Sequence, residues 1–246
     1  MKNNLDLAKY LLKIAKKAYN FAKKQKYEVQ DKNVRDLVTT YDFTIEKFLI
    51  KELQKTYPNV KIVSEEYNSS VLGKGTYFTI DPIDGTINFA NNLPDFAVQI
   101  AYVENDEILS SVIYMPKFKA GYIAGKGCGA YKNGKKLTVK PKPLDHSLIE
   151  LIYPRDNKSI TTNIEKIRSL AMDVRRYGAS CRIYTYLVEN VLGARIEYGK
   201  YNVWDNYPGI LLANEAGCVT AEQNNYLITA SSEQDLNTIL SIINKK

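Results

Sequence analysis

The chain has 246 residues, 45% of them apolar and 25% charged. That is enough for one or two domains with a real core, and it excludes collagen-like, low-complexity and disordered chains. Lysine and arginine total 34 against 27 acids, a formal charge of +7, which favours an anionic partner without choosing between nucleic acid, a membrane surface and a small phosphate.

Residues 5–26 place Leu5, Ala8, Leu11, Leu12, Ala15, Ala18, Tyr19 and Ala22 at helical spacing, with Lys9, Lys13, Lys16, Lys17, Lys23 and Lys24 on the other face. This predicts a helix with one core stripe and one solvated face; the segment has no Trp and too little bulk hydrophobicity for a membrane-surface helix. A second helix is predicted over 43–55, with Phe43, Ile45, Leu49 and Leu53 inward and Pro58 stopping it. Val60–Val63 and Thr76–Ile80 read as short strands. Ala97–Glu104 and Glu107–Met115 flank Asn105-Asp106 as a hairpin, and Gly121–Ala124 and Lys136–Val139 add strands around the turn signal Asn133-Gly134. From about residue 140 strands and helices alternate: strand 148–153, helix 160–171, strand 173–177, helix 180–192, strand 194–198, helix 206–216, strand 226–230 and helix 232–244, the last capped by Ser232 with Asp235. The pattern predicts a layered α/β protein of two lobes, 1–140 and 141–246, sharing a cleft. No run approaches the ~18 apolar residues of a membrane span, and the opening residues have no leader-like apolar core, so the cytoplasm is expected.

The cysteines Cys128, Cys181 and Cys218 are far apart and form no CxxC pair; they read as small buried thiols in a reducing compartment. With only His146 in the chain, a histidine-based zinc site or a Ser-His-Asp triad has no support, and the chemistry falls to carboxylates. The most informative stretch is Asp81-Pro82-Ile83-Asp84-Gly85-Thr86-Ile87-Asn88-Phe89. Asp81 follows an apolar strand, where α/β proteins place ligands. Pro82 is expected to end sheet pairing and turn the chain, bringing Asp84 back beside Asp81. Two carboxylates with the Ile83 carbonyl between them make a hard-oxygen site suited to Mg²⁺, and free N–H groups near Thr86 would meet a phosphate at the same spot. Ser64-Glu65-Glu66 follows the strand at 60–63. Asp205 precedes Pro208 and a helix closed by Gly217, and Asp42 opens the second helix. Each has a plain alternative: a capped turn for Asp81 and Asp84, a solvated loop for the glutamates, and helix N-caps for Asp205 and Asp42.

Taken together, these segments resemble the inositol monophosphatase family of Mg²⁺-dependent, Li⁺-sensitive phosphatases, whose patterns run D-L-V-T-x-x-D, G-E-E, D-P-I-D-G-T-x-N-F and W-D-x-A-A-G with a downstream E-A-G. The chain has Asp36-Leu37-Val38-Thr39 through Asp42, Glu65-Glu66, Asp81 through Phe89, and Trp204-Asp205 with Glu215-Ala216-Gly217, in that order. The resemblance implies an αβαβα sandwich of the inositol monophosphatase and fructose-1,6-bisphosphatase type. It also implies a homodimer acting on a small phosphorylated substrate; no membrane partner is expected, and nucleic acid is the less favoured partner. By resemblance, Glu65, Asp81, the Ile83 carbonyl, Asp84 and Asp205 hold two or three Mg²⁺ ions. Asp42 and Thr86, with Glu65 beside them, orient the attacking water, and Gly85 and Thr86 bind the phosphate through their N–H groups. Ser180 and Glu197 stand on the leaving-group side. The chain departs from the family at Ser64, at Tyr207-Pro208, in a segment 199–203 one residue longer than usual, and at Arg182. Arg182 or Arg176, if facing the cleft, would suit a substrate with a second anionic group. The leading expectation is an inositol monophosphate or similar polyol phosphate as substrate. A 3′(2′),5′-bisphosphate nucleotidase or a fructose-1,6-bisphosphatase is the enzymatic alternative, and RNA or partner binding the non-enzymatic one.

Overall fold

The computed structural model describes residues 3–33, 36–70, 75–154 and 161–244. In chain order the elements are α1 (Asn4–Ala22), β1 (Val29–Asn33), β2 (Asp36–Thr39), α2 (Thr40–Thr56), β3 (Lys61–Ser64), β4 (Tyr77–Asp84), α3 (Thr86–Ala90), β5 (Ala97–Glu104), β6 (Glu107–Met115), β7 (Ala120–Gly125), β8 (Gly129–Lys132) and β9 (Lys135–Lys136). A 3₁₀ turn at Leu144–His146 precedes β10 (Leu148–Ile152), α4 (Thr161–Arg168), β11 (Asp173–Arg175), α5 (Ser180–Val188), β12 (Leu192–Tyr198), α6 (Val203–Ala216), β13 (Val219–Gln223), β14 (Tyr226–Ala230) and α7 (Glu233–Ile243).

The strands form a hairpin, β1-β2, and two large sheets, one ordered β3-β4-β5-β6-β7-β8-β9 and the other β11-β10-β12-β14-β13. One apolar cluster joins α1 and α2 to the outer face of the seven-stranded sheet. A second joins that sheet's inner face to α5 and α6, and a third joins the five-stranded sheet to α4 and α7. The layers therefore run helix, sheet, helix, sheet, helix, the αβαβα sandwich expected from the resemblance. The middle helices come from the second half of the chain, yet their cluster includes Ala97, Ile113 and Tyr122 of the first half; the two halves share a core along the site.

Local sequence explains much of this. On α1 the Asn3 side chain accepts the Leu5 N–H at 3.1 Å, and Leu7, Ala8, Leu11, Ile14, Ala15, Ala18 and Tyr19 are buried in one stripe. The helix ends at Ala22, four residues short of the expected 26, so Lys23 and Lys24 lie beyond it. Asn105 and Asp106 both take left-handed backbone, φ 51° and 66°, the geometry that lets a two-residue loop join β5 to β6. The expected helix at 160–171 is α4; residue 160 lies outside the described residues. The short strands β1, β2, β8 and β13 had no matching expectation.

Two expectations are corrected where they touch the site. Pro82 does not end β4. Asp81 pairs with Gln99 and Asp84 with Ala97, so three steps on β4 oppose two on β5. Pro82 and Ile83 sit in that β-bulge, where proline's missing N–H costs the ladder nothing. Asp205 does not cap α6. The helix begins at Val203 with Asn202 in the cap position, which puts Asp205 inside the first turn and Pro208 in the second.

Candidate active site

Side chains alternate along a strand, so residues three apart on regular β4 would face opposite ways. The bulge inserts one residue and returns Asp84 to the face of Asp81. Gly85 follows in left-handed backbone, φ 83°, and a Cβ there would lie 2.8 Å from both the Ala179 Cβ and the Asp95 carbonyl oxygen. Only glycine lets β4 pass this close to the start of α5. That helix start meets Asp84: Ser180 N–H donates to Oδ1 at 3.1 Å, and Cys181 N–H to Oδ2 at 2.6 Å. Asn88 ties the next turn down, donating to the carbonyls of Asp95 and Tyr177, each at 2.9 Å.

Asp205 arrives from α6. Its Oδ2 accepts from Asn202 Nδ2 at 3.1 Å, and its backbone carbonyl accepts from Ser180 Oγ at 2.6 Å. Each of Asp81, Asp84 and Asp205 places one carboxylate oxygen within 4.8 Å of the others'. Asp81 is 1% exposed, and neither of its oxygens has a hydrogen-bond partner among the described residues. Burial, joined by repulsion from Glu65, Asp84 and Asp205, raises the Asp81 carboxyl well above its usual range. Burial also raises Asp84, against its donors Cys181 and Ser180, and lifts Asp205 to about 6 with the help of the Asp84 charge. Crowded, buried, hard-oxygen donors of this kind fit a divalent cation such as Mg²⁺, whose charge removes both the repulsion and the burial penalty.

Glu65 stands at the edge of this cluster. Lys32 on β1 holds it, with Nζ 3.2 Å from Glu65 Oε1 and 2.8 Å from Glu66 Oε1. Burial lifts the Glu65 carboxyl to about 8; the Lys32 charge opposes the rise, and Asp205 and Glu66 add to it. The segment is set from behind by buried Glu46, which accepts from Ser64 Oγ at 2.5 Å and from the N–H groups of Glu66 and Tyr67 at 2.9 and 2.8 Å.

Asp42 does two jobs with two oxygens. Oδ2 completes the capping box of α2, accepting from the Thr39 N–H and Oγ1 at 2.8 and 2.5 Å. Oδ1 lies 3.3 Å from Thr86 Oγ1, which also reaches the Ile83 carbonyl at 2.8 Å. Burial lifts Asp42 to about 6, against the bonds from Thr39.

Beside the acids lies a cleft of about 210 Å³, lined among others by Asp84, Glu150, Arg176, Ser180, Arg195 and Glu197. Arg195 Nη2 donates to Glu197 Oε2 at 2.6 Å, and the guanidinium lies 4.9 Å from the centre of the Tyr184 ring. Burial lifts Glu150 to about 7, opposed by the Tyr177 N–H and by the Arg195 and Arg176 charges. Arg182 departs from expectation. It pairs with Asp95 at 2.9 Å, stacks on Phe118 and Tyr186, and does not line the cleft. Glu215 also lies elsewhere, accepting the N–H groups of Gly127 and Gly129 at 2.8 and 2.7 Å, and His146 is exposed beside Asp145. The sequence reading missed Lys32, Glu46, Glu150 and Arg195. Only Arg195 carried a signal, since residues two apart on a strand share a face and Arg195 precedes Glu197 by two.

Three comparisons bear on this site. The profile of the inositol monophosphatase family matches residues 1–242. A fructose-1,6-bisphosphatase/inositol-1-monophosphatase of Aquifex aeolicus is 31% identical over 205 residues, 81% of this chain and 77% of the relative. The Nus factor SuhB of Pseudomonas aeruginosa is 32% identical over 204 residues, 79% of this chain and 75% of the relative. Among solved structures, an IMPase/NADP phosphatase complexed with Mg²⁺ and phosphate superposes with a TM-score of 0.84 at 20% identity, covering 99% of this chain and 97% of the other.

Proposed function

The chain belongs to the inositol monophosphatase family and is a phosphoric monoester hydrolase; we propose that it is Mg²⁺-dependent and hydrolyses a small sugar or polyol phosphate, most readily an inositol monophosphate. The observation that carries this reading is the cluster of buried Asp81 and Asp84 with half-buried Asp205, close to the Asp42–Thr86 pair. Glu65, Asp81, the Ile83 carbonyl, Asp84 and Asp205 would hold two or three ions. Bound Mg²⁺ supplies charge neutralisation for the phosphoryl oxygens and lowers the pKa of the attacking water.

The chain's own residues do the rest. Thr86 Oγ1 orients the water and passes its proton toward Asp42 Oδ1, whose other oxygen is locked by the α2 capping box. The N–H groups of Gly85 and Thr86 receive phosphoryl oxygens at the bulge exit. Glu197 and Ser180 face the leaving group across the cleft. The burial of the acids keeps bulk water from screening these contacts. In this reading residues 1–140 carry most of the metal ligands, and residues 141–246 carry Asp205 and the leaving-group side. The assembly is a homodimer, Li⁺ inhibits, and the three free cysteines suit a reducing cytoplasm.

The test is phosphate release, with and without Mg²⁺, from inositol 1-phosphate, fructose 1,6-bisphosphate, 3′-phosphoadenosine 5′-phosphate and glycerol 2-phosphate. Mg²⁺-dependent release with preference for inositol 1-phosphate is the expected result; none from any substrate overturns it. Exposed Lys9, Lys13, Lys17, Lys23 and Lys24 and the relative named Nus factor SuhB favour a second reading, RNA or partner binding. It predicts an RNA affinity that falls steeply with salt.

A further inference from the structure

At the leaving-group end of the cleft, Glu197 stands in a row with two buried charged residues, Glu150 and Arg195, that the catalytic machinery above leaves unused. β10 and β12 are parallel neighbours, with Glu150 opposite Arg195 and Ile152 opposite Glu197. Paired residues of parallel strands face the same way, so Glu150, Arg195 and Glu197 project from one face of the five-stranded sheet into the cleft. Glu150 and Arg195 are each 1% exposed. One Glu150 oxygen accepts the Tyr177 N–H at 3.2 Å. The other, and the Nε and Nη1 groups of Arg195, have no partner among the described residues.

Buried donors and acceptors without partners are costly, so a pocket that keeps them is organised to receive a ligand that satisfies both kinds. A hydroxyl does so, because it donates and accepts. A second phosphate does not. It would satisfy Arg195 but lie against two carboxyl groups, and the Arg195 charge is already matched by Glu197 at 2.6 Å. Arg176, the other cation on the cleft wall, is exposed and screened by solvent.

We propose that Glu150 and Arg195 are specificity-determining residues of this phosphatase, accepting a neutral, hydroxyl-bearing leaving group and rejecting one with a second phosphate. The inference rests on the phosphatase reading above and adds to it the residues that enforce its choice of leaving group. Arg195 also acts as a positioning residue, because the guanidinium that contacts the leaving group holds the Glu197 carboxylate in the same row.

The experiment uses the full chain with Mg²⁺ and three substrates: inositol 1-phosphate, fructose 1,6-bisphosphate and p-nitrophenyl phosphate, which has a phosphate but no hydroxyl. The parent should prefer inositol 1-phosphate to the bisphosphate in kcat/KM. In Arg195→Met, the ratio of kcat/KM for inositol 1-phosphate to that for p-nitrophenyl phosphate should fall about tenfold or more, mainly through KM, the size expected for a lost charge-assisted hydrogen bond. The near-isosteric Glu150→Gln, which does not depend on tolerance of a buried arginine loss, should narrow the parent's preference for monophosphate over bisphosphate. A parent that prefers the bisphosphate, with that preference lost in Arg195→Met, would make Arg195 an anion receptor and overturn the proposal. Equal losses on all three substrates would overturn it too, leaving Arg195 a merely structural residue. If the parent releases no phosphate even from p-nitrophenyl phosphate, the phosphatase reading itself fails.

Discussion

The two ends of the active cleft handle buried charge in opposite ways. At the metal end, Asp81, Asp84 and Asp205 crowd their oxygens within 4.8 Å, and the ion pairs among the described residues include none of the three. At the leaving-group end, Arg195 meets Glu197 at 2.6 Å opposite Glu150 on the next strand. The first arrangement is destabilising until a cation joins it; the second is nearly balanced as it stands. The difference teaches where each end takes its ligand from. In the proposed reading, unmatched carboxylates select a divalent ion and through it a phosphate, whereas a matched row selects hydroxyls.

The largest effect that would break this contrast is at Asp81. Asp81→Asn should lower phosphate release by about 10³-fold or more, the order expected when a site's electrostatic stabilisation is removed. The same change should raise the melting temperature of the Mg²⁺-free protein, because a neutral amide removes a buried, repelled carboxylate. Retained turnover, or a metal-free melt that drops, would show that the acids are not held against their own repulsion. Asp42→Asn should cost about 10²-fold in kcat, as for loss of a general base, with KM little changed. A KM effect of the same size would place Asp42 in binding.

Gly85→Ala meets the Ala179 Cβ and the Asp95 carbonyl at 2.8 Å while holding φ near 83°. It should destabilise the fold by about 1–3 kcal/mol, read by urea unfolding, with activity lost alongside.

The pH dependence sharpens the comparison. Asp205, about 6 in the folded protein against 3.8 for an unperturbed carboxyl, binds its proton more tightly when folded. Its raised value therefore favours the metal-free fold below about pH 4, and this is lost as pH rises through 6. A cation needs the deprotonated form. The thermal stabilisation by saturating Mg²⁺ should accordingly grow from pH 5 to pH 8, where Glu65 also titrates, at about 8. A shift independent of pH would contradict this. At the bottom of the scale, His146→Asn should leave both activity and melting within error, since His146 is exposed beside Asp145, far along the chain from every ligand.

Much of the metal end was legible in the residues themselves. Asp81 through Phe89 is one continuous stretch, and the chemistry of adjacent carboxylates, glycine and a hydroxyl survives whatever backbone carries it. The backbone is less legible: Pro82 suits a turn as well as a β-bulge, and the bulge forms because the deciding partner, β5, lies elsewhere in the chain. Asp205 was likewise expected to cap a helix that in fact begins at Val203. The leaving-group row was nearly invisible, since Glu150 and Arg195 are 45 positions apart and become neighbours only through the parallel pairing of β10 and β12. Arg182 illustrates the converse. Its charge drew it toward a substrate role, while Asp95 and two aromatic rings hold it away from the cleft.

Short-range physics was therefore enough for the longer helices, the hairpin at Asn105-Asp106 and the choice of Asp81 through Phe89 as the candidate metal site, because periodicity, capping and ligand chemistry act within a few residues. The shared core between the two halves, the bulge that turns Asp84 onto the face of Asp81, and the charge matching of Arg195 depend on strands and helices that meet across more than a hundred residues in some cases. Those contacts exist only once the layers pack, because a buried charge finds its balance from whatever the fold brings beside it.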